Sequence, residues 1–501
     1  MKTYKYLILF TAVISVLLAG CESLDVKNEN DPDFKTAFSN PSDVKGVAGG
    51  LINSWFTTTQ NYDGPALMMW VGADAGTCSW GNANMRWFSN EPRVAFDNTP
   101  SYADAQTTEN YYAGLYSTLS YANDVLTKVV KEGMIIESEG VDETPMVEAV
   151  ARLGQGLTLG YIGLVFDKAF IVTENTDITK PVATSPFKDI IDSALVSLDK
   201  CIAICGTETF TLPEGWIPGM TYTNVEVGKL ANTVAAQLLS YSPRSKAENN
   251  AVNWAKVLTY ANNGITFDFA PKGDNGVKWY SSYKDYGNSS GWGQTDMRII
   301  NMMDSRFPKR WASASTWDEL PAAATTHTAG IDDRVFTDFE FLSSCGFKVE
   351  RGYYHFSCYR FKRLDQYLIT YTEPMPVILK AENDLLKAEA LLHQPSLAAA
   401  QAIINAGTRV TRGGLAPVGA TASEIEAAIF HERNIELYCT GMGVEFFTMR
   451  KADKLQPGTP LHLPIPGQQL EVNVMDYYTF GGLDAAQKGT PGVDVSNGGW
   501  F

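Results

Sequence analysis

Two segments of the chain combine flat aromatic side chains with amide and guanidinium groups, a mixture that suits the recognition of sugars. A pyranose ring presents an apolar face of C–H groups that packs against an indole or phenol ring, while polar side chains bond its hydroxyls. The sequence therefore predicts a ligand-binding site in these segments, although each aromatic residue taken singly could instead fill the core. The candidates are Trp80, Asn82, Asn84, Arg86 and Trp87, then Trp279, Tyr280, Tyr283, Tyr286 and Trp292, with Trp311 and Trp317 beyond them.

Patterns typical of catalysis are present but lack the surroundings that catalysis requires. Gly287-Asn288-Ser289-Ser290-Gly291 matches the Gly-x-Ser-x-Gly nucleophile elbow, yet that elbow needs a fold of alternating strands and helices, with an acid and a His following. Glu432 and Glu436 lie four residues apart, a spacing that we interpret as ion pairs on a helix surface rather than a catalytic acid and base. The sequence therefore contains no complete catalytic motif, although its abundant paired carboxylates leave a helical glycoside hydrolase open as an alternative.

No grouping along the sequence predicts a metal ion or an organic cofactor, although folding can still bring distant ligands together. Cys201 and Cys205 stand four apart on a predicted helix without a second pair nearby, so we expect two small buried side chains. Gly154, Gly156 and Gly160 fall inside a predicted helix, which indicates close helix packing instead of a dinucleotide-binding loop. The histidines stand far apart and form no zinc-binding motif: His327, His355, His393, His431 and His462.

The N-terminus has the pattern of a bacterial lipoprotein signal peptide. Lys2 and Lys5 precede an apolar run over residues 7–18, and Ala19-Gly20 leads into Cys21. An apolar core of about a dozen residues is too short for the ~20 that a membrane-spanning helix needs. The sequence therefore predicts removal of residues 1–20 and acylation of Cys21, with two or more acyl chains giving a stable anchor. Residues 21–40 would form a polar tether.

The balance of charge argues against nucleic acid as a partner. The 501 residues include 40 Lys and Arg against 56 Asp and Glu, a formal net charge of −16, and the basic residues are scattered. A phosphate-binding surface needs clustered positive charge. Six cysteines follow Cys21, and Cys345 and Cys358 flank a turn signal, so a hairpin disulfide between them is one possibility in an oxidising compartment.

The elements that must position these residues are predicted to be mostly helices arranged in pairs. A capping Thr or Ser followed by proline starts two of them, at Thr144-Pro145 and Ser185-Pro186. Apolar residues recur every three or four positions along the predicted helices. A helical hairpin with its turn at residues 393–395 covers about 34 residues, the length of a tetratricopeptide unit. The predicted helices include residues 144–161, 185–202, 224–241, 252–263, 377–392 and 396–409.

Long segments without a helical period interrupt this pattern at residues 70–100, at about 271–370 and near the C-terminus. They are rich in Gly, Trp, Tyr and Asp, or punctuated by Pro. Irregular segments of this length inside a compact protein usually carry function. No linker divides the chain, so we predict one domain over residues 41–501. It comprises helical pairs at about 41–270 and 374–450, a loop-rich insertion at about 271–370 and an irregular tail at 451–501.

Several motifs occur in a fixed order along nearly the whole chain. They are the lipobox at Cys21, residues 112–126, 148–161, 380–390 and 403–409, then His431-Glu432-Arg433-Asn434, Gly443-Val444-Glu445-Phe446-Phe447 and Leu463-Pro464-Ile465-Pro466. In their order and spacing they resemble the SusD/RagB family of outer-membrane nutrient-binding lipoproteins, and the closing pattern is the most telling. The segment Phe166-Asp167-Lys168-Ala169-Phe170 departs from the turn that many members have there, which indicates a divergent branch.

The resemblance implies a mainly α fold of tetratricopeptide-like helix pairs, with long irregular loop insertions and few short strands. It also implies a lipid-anchored outer-membrane protein that faces the cell exterior. Such a protein binds nutrient oligosaccharides, delivers them to a SusC-like TonB-dependent transporter, and neither cleaves its ligand nor uses a cofactor. Two alternatives stay open: a peptide-binding member of the same fold, and a helical glycoside hydrolase.

Overall fold

Long helices in the N-terminal half of the molecule pack side by side in chain order. The computed structural model describes residues 38, 40–311, 328–343, 355–483, 495–496 and 498–500. Its first helices are α1 (Pro41–Thr59), α2 (Pro65–Gly72), α3 (Met85–Ser89), α4 (Gln106–Leu126), α5 (Thr144–Val165), α6 (Phe187–Thr207), α7 (Asn224–Tyr241), α8 (Lys246–Asn250) and α9 (Trp254–Asn262). α1 packs against α4, α4 against α5, α5 against α6, and α6 against α7.

The central helix of this group is α5, which is buried on every side. From Met146 to Val165 only Glu148 reaches solvent, and a helix that is apolar all round must be covered on all its faces. A Cβ on Gly156 would lie 2.6 Å from Leu198 Cγ. The glycines of α5 therefore allow its neighbours to approach closely, which confirms the packing role predicted for them.

The C-terminal half contains the predicted helical hairpin, formed by α14 and α15. α9 packs against α14, α14 against α15, and both helices of the hairpin pack against α17. In the described part of the chain, no helix combines the length and the apolar composition that a membrane span requires. The helices of the C-terminal half are α10 (Ser282–Asn288), α11 (Met297–Met303), α12 (Arg334–Thr337), α13 (Asp365–Thr370), α14 (Lys380–His393), α15 (Leu397–Ala406), α16 (Thr408–Thr411), α17 (Ala422–Ile435), α18 (Val444–Lys451) and α19 (Gly467–Val472).

Short antiparallel strand pairs tie the loops together. Every sheet among the described residues has two strands, and the pairs are β1 with β6, β2 with β3, β4 with β5, and β7 with β8. The loop-rich region that was predicted over residues 271–370 contains helices α10 to α13, all too short to show a period in the sequence. The strands are β1 (Gly76–Thr77), β2 (Glu137–Ser138), β3 (Val141–Asp142), β4 (Lys168–Phe170), β5 (Thr184–Pro186), β6 (Gln294–Thr295), β7 (Phe339–Phe341) and β8 (Tyr359–Phe361).

The predicted helix boundaries agree best where a capping interaction sets them. α7 spans the predicted residues 224–241 and begins with a capping box in which Thr223 and Glu226 bond each other's backbone. The predicted start of α6 at Ser185 is wrong, because Ser185 and Pro186 pair with β4 as part of β5 and the helix begins at Phe187. Pairing with the preceding strand β4 has overridden the local cap.

The expected burial of the cysteine pair on α6 is confirmed, since Cys201 and Cys205 are 0% and 6% exposed. Other expectations concern residues that the structure does not describe. Cys21, Trp317, His327 and Cys345 lie outside the described residues, and with them the lipid anchor and the Cys345–Cys358 disulfide.

Substitution of Gly156 by Ala should destabilise the protein, whereas the same change at Gly46 should not. Ala normally favours a helix over Gly by ~1 kcal/mol, but a Cβ at position 156 meets Leu198 Cγ at 2.6 Å and the Ala194 carbonyl oxygen at 3.2 Å. Overpacking of this kind costs ~1–3 kcal/mol. Gly46 in α1 has open space at its Cβ position and is the control. Chemical denaturation measures both free energies of unfolding, and equal values would contradict close packing at α5.

Candidate functional site

A short strand ladder brings the two aromatic segments of the sequence together. β1 follows α2 and pairs with β6, which follows α10. The buried indole of Trp70 covers glycines on both sides of this ladder. A Cβ on Gly76 would come within 2.1 Å of the Trp70 ring, and a Cβ on Gly293 within 2.8 Å. Glycine at both positions therefore allows the ring to hold the two segments against each other.

Four aromatic rings from separate parts of the chain follow one another beside this ladder. Tyr62 stacks on Tyr286, with ring centroids 6.1 Å apart and planes inclined by 11°. Tyr286 lies 5.2 Å from Trp292, and Trp292 lies 6.5 Å from Trp80. Tyr62 and Trp292 are 36% and 49% exposed, while Tyr286 and Trp80 are partly buried. We call these four residues the aromatic strip.

Polar groups flank the aromatic strip. Asn82 is exposed and donates a hydrogen bond from Nδ2 to the Tyr286 hydroxyl oxygen at 2.7 Å. Burial raises the pKa of Tyr286 to about 12, so this hydroxyl keeps its proton and can donate to a ligand. Asn61 Oδ1 accepts from the Asp63 backbone N–H at 3.0 Å and fixes the turn that presents Tyr62. The surface therefore offers apolar ring faces together with amide and hydroxyl groups.

Two aromatic residues of the second predicted segment lie in the core and not at the surface. Trp279 is 3% exposed and packs against Phe56 with ring centroids 4.9 Å apart. Tyr283 is completely buried on the inner face of α10. Trp311, which follows this segment, is also buried. A ring without an exposed face cannot stack on a sugar, so we leave these three residues out of the candidate site.

The first predicted segment divides between the strip and a separate cavity. Asn84 is buried, with a positive φ of 58°, and its Oδ1 accepts from the Tyr102 hydroxyl at 2.6 Å. Trp87 lines a cavity of about 140 Å³ together with Phe96 and Tyr102. The Arg86 guanidinium lies 5.0 Å from the centre of the Trp87 ring. Asn84 therefore supports the loop, whereas Arg86 and Trp87 belong to a different surface.

Tyr280 has a supporting position beside the strip. Its hydroxyl donates to Asp285 Oδ2 at 2.5 Å, and the Tyr371 hydroxyl donates to the same oxygen at 3.2 Å. Burial, with the nearby Asp285 carboxylate, raises the pKa of Tyr280 well above its usual range. The strip member that the sequence did not predict is Tyr62, whose only signal is the turn sequence Asn61-Tyr62-Asp63-Gly64. Of the ten predicted residues, the structure brings together Trp80, Asn82, Tyr286 and Trp292.

No protein-family model and no curated protein matches the chain. Solved structures with the same arrangement of elements show its fold. A SusD homolog from Bacteroides thetaiotaomicron aligns with 87% of this chain and 97% of its own, at 13% identity and a TM-score of 0.60. A SusD superfamily protein from Bacteroides fragilis aligns over 88% and 100%, at 14% identity and 0.57. The chain has the SusD-like fold. A SusD-like carbohydrate binding protein from Bacteroides fragilis aligns over 83% and 86%, at 12% identity and 0.56.

Within this SusD-like fold, the segment that matches a nucleophile elbow has a structural role. Gly287 and Asn288 end helix α10, and the Ser289 hydroxyl donates to Asp285 Oδ1 at 3.2 Å. A nucleophile elbow joins a strand to a helix at the edge of a larger sheet, and the described sheets have two strands each. The serine therefore lacks the setting of a hydrolase nucleophile.

The ion pairs predicted for Glu432 and Glu436 form, but the prediction that they lie on a helix surface is wrong. These side chains are 2% and 1% exposed. Arg334 donates from Nη2 to Glu432 at 2.7 Å and from Nη1 to Glu436 at 3.1 Å. A buried carboxylate is stable only with such partners. Both carboxylates thus form ion pairs with Arg334, and neither is placed to act as an acid or a base.

One group of potential metal ligands occurs in the described part of the chain. Asp332, His431 and Glu432 lie close enough together to hold an ion. Arg334 already bonds both carboxylates, at 2.6 Å to Asp332 and 2.7 Å to Glu432. A cationic guanidinium thus takes the place that a metal would need, and this SusD-like chain offers no built metal site there.

A buried lysine supports the strip of this SusD-like protein from below. Lys284 in α10 donates from Nζ to Gln60 Oε1 at 2.6 Å and so joins the helix of Tyr286 to the turn of Tyr62. Burial lowers the pKa of Lys284 to about 8. Glu445 lies near this lysine, and burial raises its pKa to about 7. Two buried groups beneath the strip, Lys284 and Glu445, therefore titrate within a moderate pH range.

The protein should lose stability as the pH rises from about 5 to 7, and Glu445→Gln should reduce that loss. Burial raises the Glu445 pKa from 4.5 to about 7, so in this range the folded state holds a proton that the unfolded state releases. The stability that this proton contributes is fully present below the unfolded-state pKa of 4.5. It is lost as the pH rises through the folded-state pKa of about 7. It amounts to a few kcal/mol at most. Chemical denaturation at several pH values measures it.

The matched control is Glu426→Gln, which removes an exposed carboxylate. It should leave the pH dependence as in the parent protein. If Glu445→Gln shows the same slope of unfolding free energy against pH as the parent, the titration of Glu445 near pH 7 is refuted.

Proposed function

We propose that this protein binds oligosaccharides along the aromatic strip and does not cleave them. The observation that carries the proposal is the strip itself: Tyr62, Tyr286, Trp292 and Trp80 follow one another on loops, with Asn82 beside them. A row of rings can contact successive sugar units, which favours a chain over a single sugar. Amide and hydroxyl groups next to the rings supply the hydrogen bonds that sugar hydroxyls require.

The fold supports the same proposal independently of the strip. One structure of similar fold, from Bacteroides fragilis, is a SusD-like carbohydrate binding protein. The proposal that the ligand is not cleaved is supported by the carboxylates of Glu432 and Glu436. Both are buried and form ion pairs with Arg334. A glycoside hydrolase needs one protonated and one ionised carboxyl group that face the substrate.

We propose further that the protein is anchored by acylated Cys21 at the outside of the outer membrane and delivers its ligand to a SusC-like TonB-dependent transporter. The signal pattern before Cys21 supports the anchor. Sixteen residues lie between Cys21 and Phe38, whose side chain is buried in the core, and at ~3.5 Å each they would reach up to ~56 Å. A tether of that length would let the strip turn toward a transporter without releasing the lipid.

Titration with a panel of oligosaccharides and a panel of peptides separates the three functional classes. An oligosaccharide binder retains glycans unchanged, a peptide binder responds only to the second panel, and a glycoside hydrolase releases shorter products that chromatography detects. We expect binding from the first panel without product. Binding of peptides alone would replace the glycan proposal with the peptide alternative.

Trp292→Ala should weaken binding of a glycan selected from the panel by about ten- to a hundredfold and leave the melting temperature nearly unchanged. The ring is 49% exposed, so its loss removes ligand contact rather than core packing. At ~25 cal/mol per Å², a partly exposed ring contributes ~1–3 kcal/mol. Calorimetric titration gives the affinity, and thermal unfolding gives the stability.

Two tryptophans serve as matched controls for this substitution. Trp279→Ala should lower the melting temperature strongly, because deletion of a buried Trp costs ~3–5 kcal/mol. Trp87→Ala removes a ring that is 41% exposed but outside the strip, and should leave affinity as it is. If Trp87→Ala weakens binding and Trp292→Ala does not, the ligand occupies the cavity beside Trp87 instead.

Cys21→Ala should release the protein from outer-membrane vesicles, because the anchor requires an acylated sulfur. Fractionation of cells that express the parent and the variant measures the distribution between membrane and soluble fractions. A variant that stays as membrane-bound as the parent would disprove the lipobox interpretation.

The parent, solubilised in mild detergent, should co-purify with a TonB-dependent transporter.

A further inference from the structure

A second cavity lies among helices α14 to α17, away from every residue of the aromatic strip. It measures about 490 Å³. Exposed residues at its edge, Lys380, Ala406 and Thr411, show that it opens to solvent. Apolar and charged side chains both line it. The apolar part of the lining includes Leu379, Leu385, Ile403 and Ile404.

The acids that line the cavity already have partners. Asp384 pairs with Lys380 at 2.5 Å, and Asp268 accepts from the Lys380 backbone N–H at 2.7 Å. Glu436 accepts from Arg412 at 2.6 Å and from Arg363 at 3.1 Å. Glu432 accepts from Arg334 at 2.7 Å and from the Thr408 hydroxyl at 2.8 Å. These carboxylates have little capacity left for another donor, so a further cation in the cavity must find its acceptor elsewhere.

Arg409 is that further cation. Its side chain lines the cavity and is partly buried, and it forms no hydrogen bond or ion pair with any residue in the described part of the chain. The Nε atom is shielded from solvent and has no acceptor. Burial lowers the pKa of Arg409, while Glu432 and Asp332 act in the opposite direction. Because solvent does not reach Nε, a ligand would bond the Nη groups of this guanidinium, which also have no acceptor in the described part of the chain.

We propose that this cavity binds a small carboxylate with an apolar body, with the carboxylate on Arg409 and the body against Ile403, Ile404 and Leu385. The planar fork of a guanidinium matches the two oxygens of a carboxylate. A single unbonded cation suits a single negative charge, because Glu432 and Glu436 close by repel a second one. The chemistry therefore favours a monocarboxylate over phosphate or sulfate.

This site is independent of the proposed glycan function, since it shares no residue with the strip. Loss of glycan binding in strip variants leaves the carboxylate site unaffected, and the reverse also holds. The two proposals are thus tested by different ligands on the same purified protein.

Hexanoate is a suitable probe because it joins one carboxylate to a short apolar chain. Calorimetric titration of the purified full chain should show binding, and hexanamide, which has no charge, should bind at least about tenfold more weakly. Arg409→Gln should weaken hexanoate binding by about tenfold or more. Arg409→Lys keeps the charge but loses the fork, and should fall between the parent and Arg409→Gln.

Two further variants guard against a folding defect in the Arg409 substitutions. Ala381→Phe places a ring in the cavity and should abolish hexanoate binding with Arg409 intact. Lys200→Gln removes an exposed positive charge from α6 and should leave hexanoate binding unchanged. Melting temperatures identify any variant that fails to fold. Absence of hexanoate binding in the parent, equal binding by Arg409→Gln or by Ala381→Phe, or tighter binding of sulfate than of hexanoate would each overturn the proposal.

Discussion

The contact on which the aromatic strip depends is that of the Trp70 ring with the backbone of two glycines. Trp70 is fixed in the core by α2, and Gly76 and Gly293 belong to segments that are far apart in the sequence. Because neither glycine carries a side chain, the ring holds both segments and the β1–β6 pair can form beneath it. Trp80 and Trp292 then emerge on the same surface. Without this contact, the aromatic residues would lie on two independent loops.

Buried charge has a related role in fixing the geometry. Lys284 joins the turn before Tyr62 to helix α10, and Arg334 joins α12 to α17 through Glu432 and Glu436. A buried charge and its partner contribute little net stability, since desolvation offsets the attraction, but loss of the partner is heavily penalised. Such contacts therefore favour one arrangement of the helices over others. The stability itself comes from apolar helix faces such as those around α5.

The sequence was sufficient for long helices and insufficient for short helices and for the burial of single aromatic residues. The long helices α5 and α7 have enough turns to show their period, and the capping box at Thr223 defines a boundary. Helix α10 has less than two turns, so nothing in the sequence distinguished buried Tyr283 from Tyr286 on the strip. Ser185 shows the same limit, because its sequence pattern predicted a helix cap but the residue pairs with β4 in the structure. Tyr62 was missed because its place depends on Lys284 and Gln60, which meet only after folding.

Helix packing and the aromatic strip involve different residues in this molecule, and that separation bears on how such proteins evolve. The glycines of α5 are constrained by neighbours such as Leu198 and Leu238. The exposed rings of Tyr62 and Trp292 contact other rings of the strip, namely Tyr286 and Trp80. Mutations that exchange these rings can therefore accumulate without loss of the scaffold. The architecture shared with solved structures at only 12–14% identity is in keeping with a scaffold that tolerates such exchanges.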